Sequence, residues 1–186
     1  MTGAELIGQE ELKEIQELFD REKVMLYRYG PKNYKTVLFE EAFAEYMGVK
    51  YAHSVSSGTA AIHSALAAIG VGQGDEVITT AWTFVAPIEA IVALGAIPIL
   101  ANIDETFHID PLEVEKLITA KTKAIITVSL YGLSPDMDPI MKIASKHNLK
   151  IIEDNAQCVY GKYNDQIVGS FGDIAIYSLQ RSKHLT

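Results

Sequence analysis

A three-layer α/β fold, with a mostly parallel sheet covered by helices on both faces, is what this sequence predicts. Short apolar runs alternate with helix-like stretches from Tyr51 onward, as strands of a buried parallel sheet and their crossovers require. The chain has 186 residues, 48% of them hydrophobic. That is enough for one domain with a real core and too little for two ordinary ones.

Taken in order, Gln9 to Lys23 carries Leu12, Ile15, Leu18 and Phe19 on one side of a helix, a greasy face expected to pack on something larger. Met25 to Tyr34 holds Tyr27, Arg28, Tyr29, Gly30 and Pro31, turn residues that prevent a continuous helix. Its aromatics and arginine either line a pocket or cover a helix. A second helix, Thr36 to Tyr46, precedes a strand at Tyr51 to Val55. Then follow helix Thr59 to Ile69, strand Glu76 to Thr79, helix Phe84 to Leu94, strand Ile97 to Leu100 and helix Pro111 to Ile118. The pattern continues with strand Ala124 to Val128, helix Met137 to His147, strand Lys150 to Glu153, a hairpin near Tyr163 to Val168, and an apolar run Ile174 to Leu179. In such a fold, ligands sit at the carboxyl ends of the strands.

Charge and cysteine content narrow the function. A net charge of -8 disfavours nucleic acid and anionic membrane surfaces, which ask for a basic face. Cys158 is the only cysteine, so no internal disulfide can form; it reads as a small buried hydrophobe. Glu5, Glu10 and Glu11 near the start are unlike a signal peptide, and the uncharged run Ala90 to Ile103 contains Pro98 and is too short to span a bilayer. A cytoplasmic protein with small-molecule or protein partners is expected.

Four stretches can carry chemistry. In VSSGTAAIHSAL, Val55 to Leu66, Gly58 lets the backbone approach a ligand closely and Thr59 offers a hydroxyl at a helix N-terminus, a place for a phosphate. The plainer reading is that Ser56, Ser57 and Thr59 cap a helix. The run Gly70 to Asp75 follows a helix and precedes a strand, the wrong context for a dinucleotide loop, and reads as a helix stop. In Ala81 to Pro87, Trp82 and Phe84 stand at a strand-to-helix junction, where a ring either stacks on a flat cofactor or packs in the core.

IIEDNAQ, Ile151 to Gln157, ends a buried strand in two carboxylates and an amide. Asp154 there can hold a cationic ring nitrogen, and Gln157 can donate to an oxygen on the same ring. A helix cap or a metal site are the alternatives for Asp154. No histidine lies near in sequence and no metal-ligand spacing is present, which counts against a metal. His53, His63, His108, His147 and His184 are scattered and read as surface or packing residues. Finally, the run ending at Leu179 contains Ser178 and is followed by Lys183. Lysine condenses with carbonyls, and in a dry pocket such an amine also moves protons. A solvated surface lysine is the alternative.

Together SSGTAAI, DEVITTAWTFVAPIEAI, GAIPILANID, TKAIITVSLYG, DMDPI, IIEDNAQ, GSFGD and SLQRSKHLT resemble the DegT/StrS family of pyridoxal-phosphate-dependent sugar aminotransferases. The resemblance runs in order over nearly the whole chain. It implies that Lys183 forms the Schiff base with the cofactor and that Asp154 pairs with the pyridine nitrogen. It further implies that Gln157 contacts the phenolic oxygen, that Phe84 stacks on the ring, and that Gly58, Thr59 and Ser178 hold the phosphate.

By resemblance the fold is the large domain of a fold type I aminotransferase, spanning residues 1–186, incomplete and without the C-terminal small domain. The implied reaction passes an amino group from glutamate or glutamine to a nucleotide-linked keto sugar or a keto cyclitol, in a homodimer, within sugar, polysaccharide or antibiotic biosynthesis. LYRYG, Leu26 to Gly30, resembles the cyclitol branch. Pro87, Ser129 and Tyr160 depart from the family pattern, where threonine, histidine and glycine are usual. Two rival readings are a sugar dehydratase of the same family, in which histidine replaces the lysine, and a truncated non-catalytic chain acting at most as a dimerisation partner. Lys183 stands against the first.

Overall fold

The computed structural model describes residues 3–22 and 35–185; the segment Met25 to Tyr34, with LYRYG, lies outside the described residues. A short 3-10 turn, Gly3–Glu5, leads into helix α1, Gln9–Glu22, and α2 spans Lys35–Met47. The alternating part follows as α3 (Gly58–Ala68), β1 (Glu76–Thr80), α4 (Ala86–Ala93), β2 (Ile97–Ala101), α5 (Pro111–Leu117), β3 (Thr122–Val128), α6 (Met137–His147) and β4 (Lys150–Asp154). A hairpin of β5 (Lys162–Tyr163) and β6 (Gln166–Ile167) precedes the last strand, β7 (Ile174–Ile176).

Five strands form one parallel sheet in the order β2-β1-β3-β4-β7. From β1 the chain crosses to β2 on one side and returns to β3 on the other. This reversal opens a crevice at the carboxyl ends of the strands. Both faces of the sheet are covered, as the sequence predicts. On one, Ile62, Leu66 and Ile91 from α3 and α4 pack on Val77, Ile126, Ile152 and Ile176. On the other, Val114, Met137 and Ile140 from α5 and α6 pack on Ile78, Ile125 and Ile151.

The two-residue period of β4 therefore sends Glu153 to the same side as Ile151 and Asp154 to the same side as Ile152. That division positions everything described below.

Local chemistry explains the boundaries. Asp110 caps α5, its carboxylate accepting from Leu112 N at 2.8 Å, and Pro111 opens the helix where a missing N–H costs nothing. Asn148, at φ 54°, ends α6 in the left-handed conformation that asparagine tolerates. Asn164 and Asp165, at φ 48° and 64°, make the tight turn of the β5–β6 hairpin.

Three expectations need correction. Tyr51 to Val55 is not a strand of the sheet: it and β7 both line a cavity of about 870 Å³, and among the described residues no strand pairs with it. Tyr51 is 77% exposed. The apolar face of α1 is likewise uncovered among the described residues, with Leu12, Ile15 and Phe19 all more than half exposed. Polar contacts tether this end of the chain instead, Lys35 to Glu14 and Glu17 and Gly3 N to Lys183 O at 2.8 Å. Helix α4 begins at Ala86 rather than Phe84, since Pro87 occupies its first turn, which leaves Trp82, Thr83 and Phe84 as a junction.

Candidate active site

Asp154 is the last residue of β4, paired in register with Val128 on β3 and Ile176 on β7. It is 4% exposed. Among the described residues, only one backbone donor, Ala156 N at 3.0 Å, serves its carboxylate. Burial pushes the carboxyl up to about 6, while the Ala156 hydrogen bond and the charge of Lys183 pull it down. A carboxylate this dry calls for a cationic partner. Lys183 lies in the turn after β7, half-buried, its backbone N donating to Gln180 O at 2.7 Å.

A second pairing lies at the N-terminus of α3. Ser57 caps the helix, its Oγ accepting from Ala60 N at 3.1 Å, so the capping reading of this serine holds. Gly58 opens the helix and presses on Ser178: a β-carbon on Gly58 would stand 3.1 Å from Ser178 Cβ and 3.4 Å from Ser178 Oγ. Thr59, half-buried, follows on the same first turn. First-turn N–H groups have no intrahelical partner, and the helix dipole favours an anion there by about 0.3 to 1 kcal/mol. With the buried Ser178 hydroxyl alongside, the arrangement suits a phosphate.

The junction after β1 completes the surroundings. Phe84 is 68% exposed and Trp82 half-exposed, the latter tilted against Phe107 with ring centroids 6.3 Å apart. Among the described residues, Thr79 Oγ1 and Thr83 Oγ1 are buried with no hydrogen-bond partner, polar atoms left over near the carboxyl end of β1. Gln157 is half-buried three residues beyond Asp154. Of the residues singled out from sequence, the structure brings Gly58 against Ser178; Lys183 makes no ion pair with Asp154 among the described residues, though its charge acts on that carboxyl to lower it. Phe84 and Gln157 stand at the ends of β1 and β4.

The structure also shows residues that sequence reading left without a role. Ser129 Oγ donates to Asn155 Oδ1 at 2.8 Å, and both residues are fully buried. Ser129 N donates to Asp154 O and Asn155 N to Ile176 O, which ties β3, β4 and β7 together at the level of Asp154. Glu153 faces away from Asp154 and accepts three backbone N–H groups. The first carboxylate of IIEDNAQ was in view in the sequence, but its partners lie 16 to 19 residues further on and only folding assembles them.

Known proteins agree with this geometry. The chain is 46% identical over 151 residues to the GDP-perosamine synthase of Caulobacter vibrioides, covering 81% of this chain and 41% of that protein. An aminotransferase from Psychrobacter cryohalolentis, solved by X-ray methods, superposes with a TM-score of 0.90 at 39% identity, over 97% of this chain and 45% of that one. Spr1654 from Streptococcus pneumoniae, in its PLP-form, gives a TM-score of 0.89 at 30% identity, over 97% of this chain and 48% of that one. The chain thus spans less than half the length of these relatives. Among the described residues, no helix is long and apolar enough to cross a membrane. The family model for DegT/DnrJ/EryC1/StrS aminotransferases matches residues 5–186, and with the parallel sheet and the relatives above, the chain belongs to that family.

Proposed function

We propose that residues 1–186 form the cofactor-binding large domain of a pyridoxal-phosphate-dependent sugar aminotransferase. The amino group passes from glutamate or glutamine to a keto sugar, nucleotide-linked as in the GDP-perosamine synthase relative, or to a keto cyclitol. The observation that carries this reading is a dry carboxylate, Asp154, at the carboxyl end of β4, together with the close contact of Gly58 at the N-terminus of α3 with Ser178 just after β7.

The residues present fit the cofactor. Asp154 is a buried anion short of donors, suited to a protonated ring nitrogen, and the tight Gly58–Ser178 contact admits a β-carbon beside the helix N-terminus only if Ser178 gives way. Thr79 Oγ1 and Thr83 Oγ1 are orphaned polar atoms nearby. Bound pyridoxal phosphate supplies an aldehyde that condenses with amines and a ring that draws electrons from the carbon bearing the amine.

Each residue then has a distinct task. Gly58, Thr59 and Ser178 would hold the phosphate through backbone N–H and hydroxyl groups. Asp154 would keep the ring nitrogen protonated, Gln157 would donate to the ring's phenolic oxygen, and Phe84 would cover one ring face. Lys183 Nζ would hold the cofactor and move the proton at the donor's alpha carbon. On the family resemblance the protein is cytoplasmic and works as a homodimer, with a small domain closing the substrate cleft.

The test uses this chain joined to the remaining length of a relative, loaded with cofactor and mixed with glutamate or glutamine. Formation of the matching 2-oxo acid, followed by amination of a keto sugar or keto cyclitol, is expected. A loaded protein that consumes neither donor would overturn the reading. The chain alone should turn over far more slowly than the extended one, because the open edge and unclosed cleft admit water.

A further inference from the structure

We infer that Glu153 is a positioning residue, fixing the register of β7 on β4 and with it the height at which the chain delivers Ser178 to Gly58 and runs on to Lys183. The inference rests on the reading of Ser178 and Lys183 as cofactor-binding residues.

Strand β7 needs such a device. It has three residues, paired with β4 as Ile152↔Ile174, Glu153↔Ala175 and Asp154↔Ile176, and it is the edge of the described sheet. Three residues of parallel ladder hold a register weakly, and a slip of one residue would turn every β7 side chain to the other face. Ser178 would then leave Gly58, and Lys183, five residues on, would shift with it.

Glu153 supplies the missing constraint. It is 1% exposed, on the face of the sheet opposite Asp154. One carboxylate oxygen accepts from Phe171 N at 2.8 Å and Gly172 N at 2.7 Å, and the other accepts from Gly169 N at 2.7 Å. Converging backbone N–H groups of this kind form a concavity for an anion, here a side chain of the neighbouring strand. The loop has little freedom to shift within it. Gly169 is at φ 104°, and a β-carbon on Gly172 would lie 2.8 Å from Ile151 O.

Asp173 locks the next step, its N donating to Ile151 O at 2.9 Å and its carboxylate accepting from Ile151 N at 2.9 Å. Between Gly169 and Ile174 every residue but Ser170 is therefore tied to β4. Adjacent residues on one strand divide the work: Asp154 faces the reacting atoms, and Glu153 holds the strand that brings the lysine to them. Removing a charged acceptor from buried N–H groups costs enough to open such a loop by about tenfold or more.

The experiment compares parent, Glu153→Gln and Glu153→Asp by amide hydrogen exchange and by titration with pyridoxal phosphate. In Glu153→Gln, exchange should rise about tenfold at Gly169, Phe171 and Gly172 and also through Ile174–Ile176, while β1 and β3 stay within about twofold. The cofactor dissociation constant should rise about tenfold, and Glu153→Asp, which keeps the charge, should recover part of both losses. Faster exchange at the three loop amides alone, with β7 and cofactor affinity unchanged, would reduce Glu153 to a loop cap and overturn the inference. Faster exchange across the whole sheet, or failure of both variants to fold, would make it a residue of global stability and overturn it equally. If the parent bound no cofactor, the reading of Lys183 would fall, while the β7 exchange pattern would still decide whether Glu153 sets the register.

Discussion

Gly58 and Ser178 lie so close that a β-carbon on the glycine would stand 3.1 Å from Ser178 Cβ, inside ordinary van der Waals contact. The first turn of α3 and the end of β7, 120 residues apart in sequence, share one small space.

Gly58→Ala should therefore separate stability from cofactor binding. A helical alanine is worth up to about 1 kcal/mol over glycine, and overpacking costs about 1 to 3, so the net change in stability is small. Ser178 must nevertheless move by a few tenths of an ångström. Titration should show pyridoxal phosphate binding weakened by about fivefold or more, with Thr59→Ala and Ser178→Ala losing about 1 to 3 kcal/mol for a charge-assisted bond. Unchanged affinity in Gly58→Ala would remove the Gly58–Ser178 contact from the phosphate site.

Asp154 should cost the cofactor-free protein stability at neutral pH. Its carboxyl is raised from 3.8 to about 6 by burial, so the folded chain holds this proton more tightly than the unfolded one. Stability from this group is then fully present below about pH 4 and is lost as pH rises through about 6. The span of about two pH units corresponds to an upper bound of about 3 kcal/mol. Denaturant melts should find cofactor-free Asp154→Asn more stable than the parent at pH 7.5, with the gap closing toward pH 4. In the cofactor-loaded, extended protein the same substitution should cut turnover far more than occupancy. A variant less stable at pH 7.5 than at pH 4, relative to the parent, would contradict this assignment.

Much of this was legible in the sequence because parallel sheets write themselves plainly. Buried runs such as Ala124 to Val128 and Ile151 to Ile152, separated by helices of regular period, allow little else, and the carboxylate at the end of β4 is legible as a buried strand-end acid. What stayed hidden depends on absent or distant neighbours. Tyr51 to Val55 has strand composition, yet pairing needs a second backbone, and a cavity lies there instead. The greasy face of α1 announced burial that the described residues do not provide. Glu153 looked like the lesser of two carboxylates, because its three N–H partners come from a loop that local spacing does not connect to it.

The loop before β7 offers a steric test of its own. A β-carbon on Gly169 would fall 1.7 Å from Tyr177 Oη, at a φ of 104° that side chains rarely adopt, and one on Gly172 would meet the backbone of Ile151. Both Gly169→Ala and Gly172→Ala should destabilise by about 2 kcal/mol or more, Gly169→Ala the more severely because strain and overlap add. Thermal melts check the order. Equal or negligible losses would mean that the loop rearranges freely.

Covalent attachment at Lys183 is the most direct test of the central claim. The chain is incubated with pyridoxal phosphate, reduced with borohydride, digested and mapped by mass spectrometry, beside Lys183→Ala. A Schiff-base lysine predicts a visible absorbance band in the parent and a reduced adduct on the peptide holding Lys183, with both lost in the variant. A reducible adduct of equal yield in Lys183→Ala, or one mapping to another lysine in the parent, would contradict it.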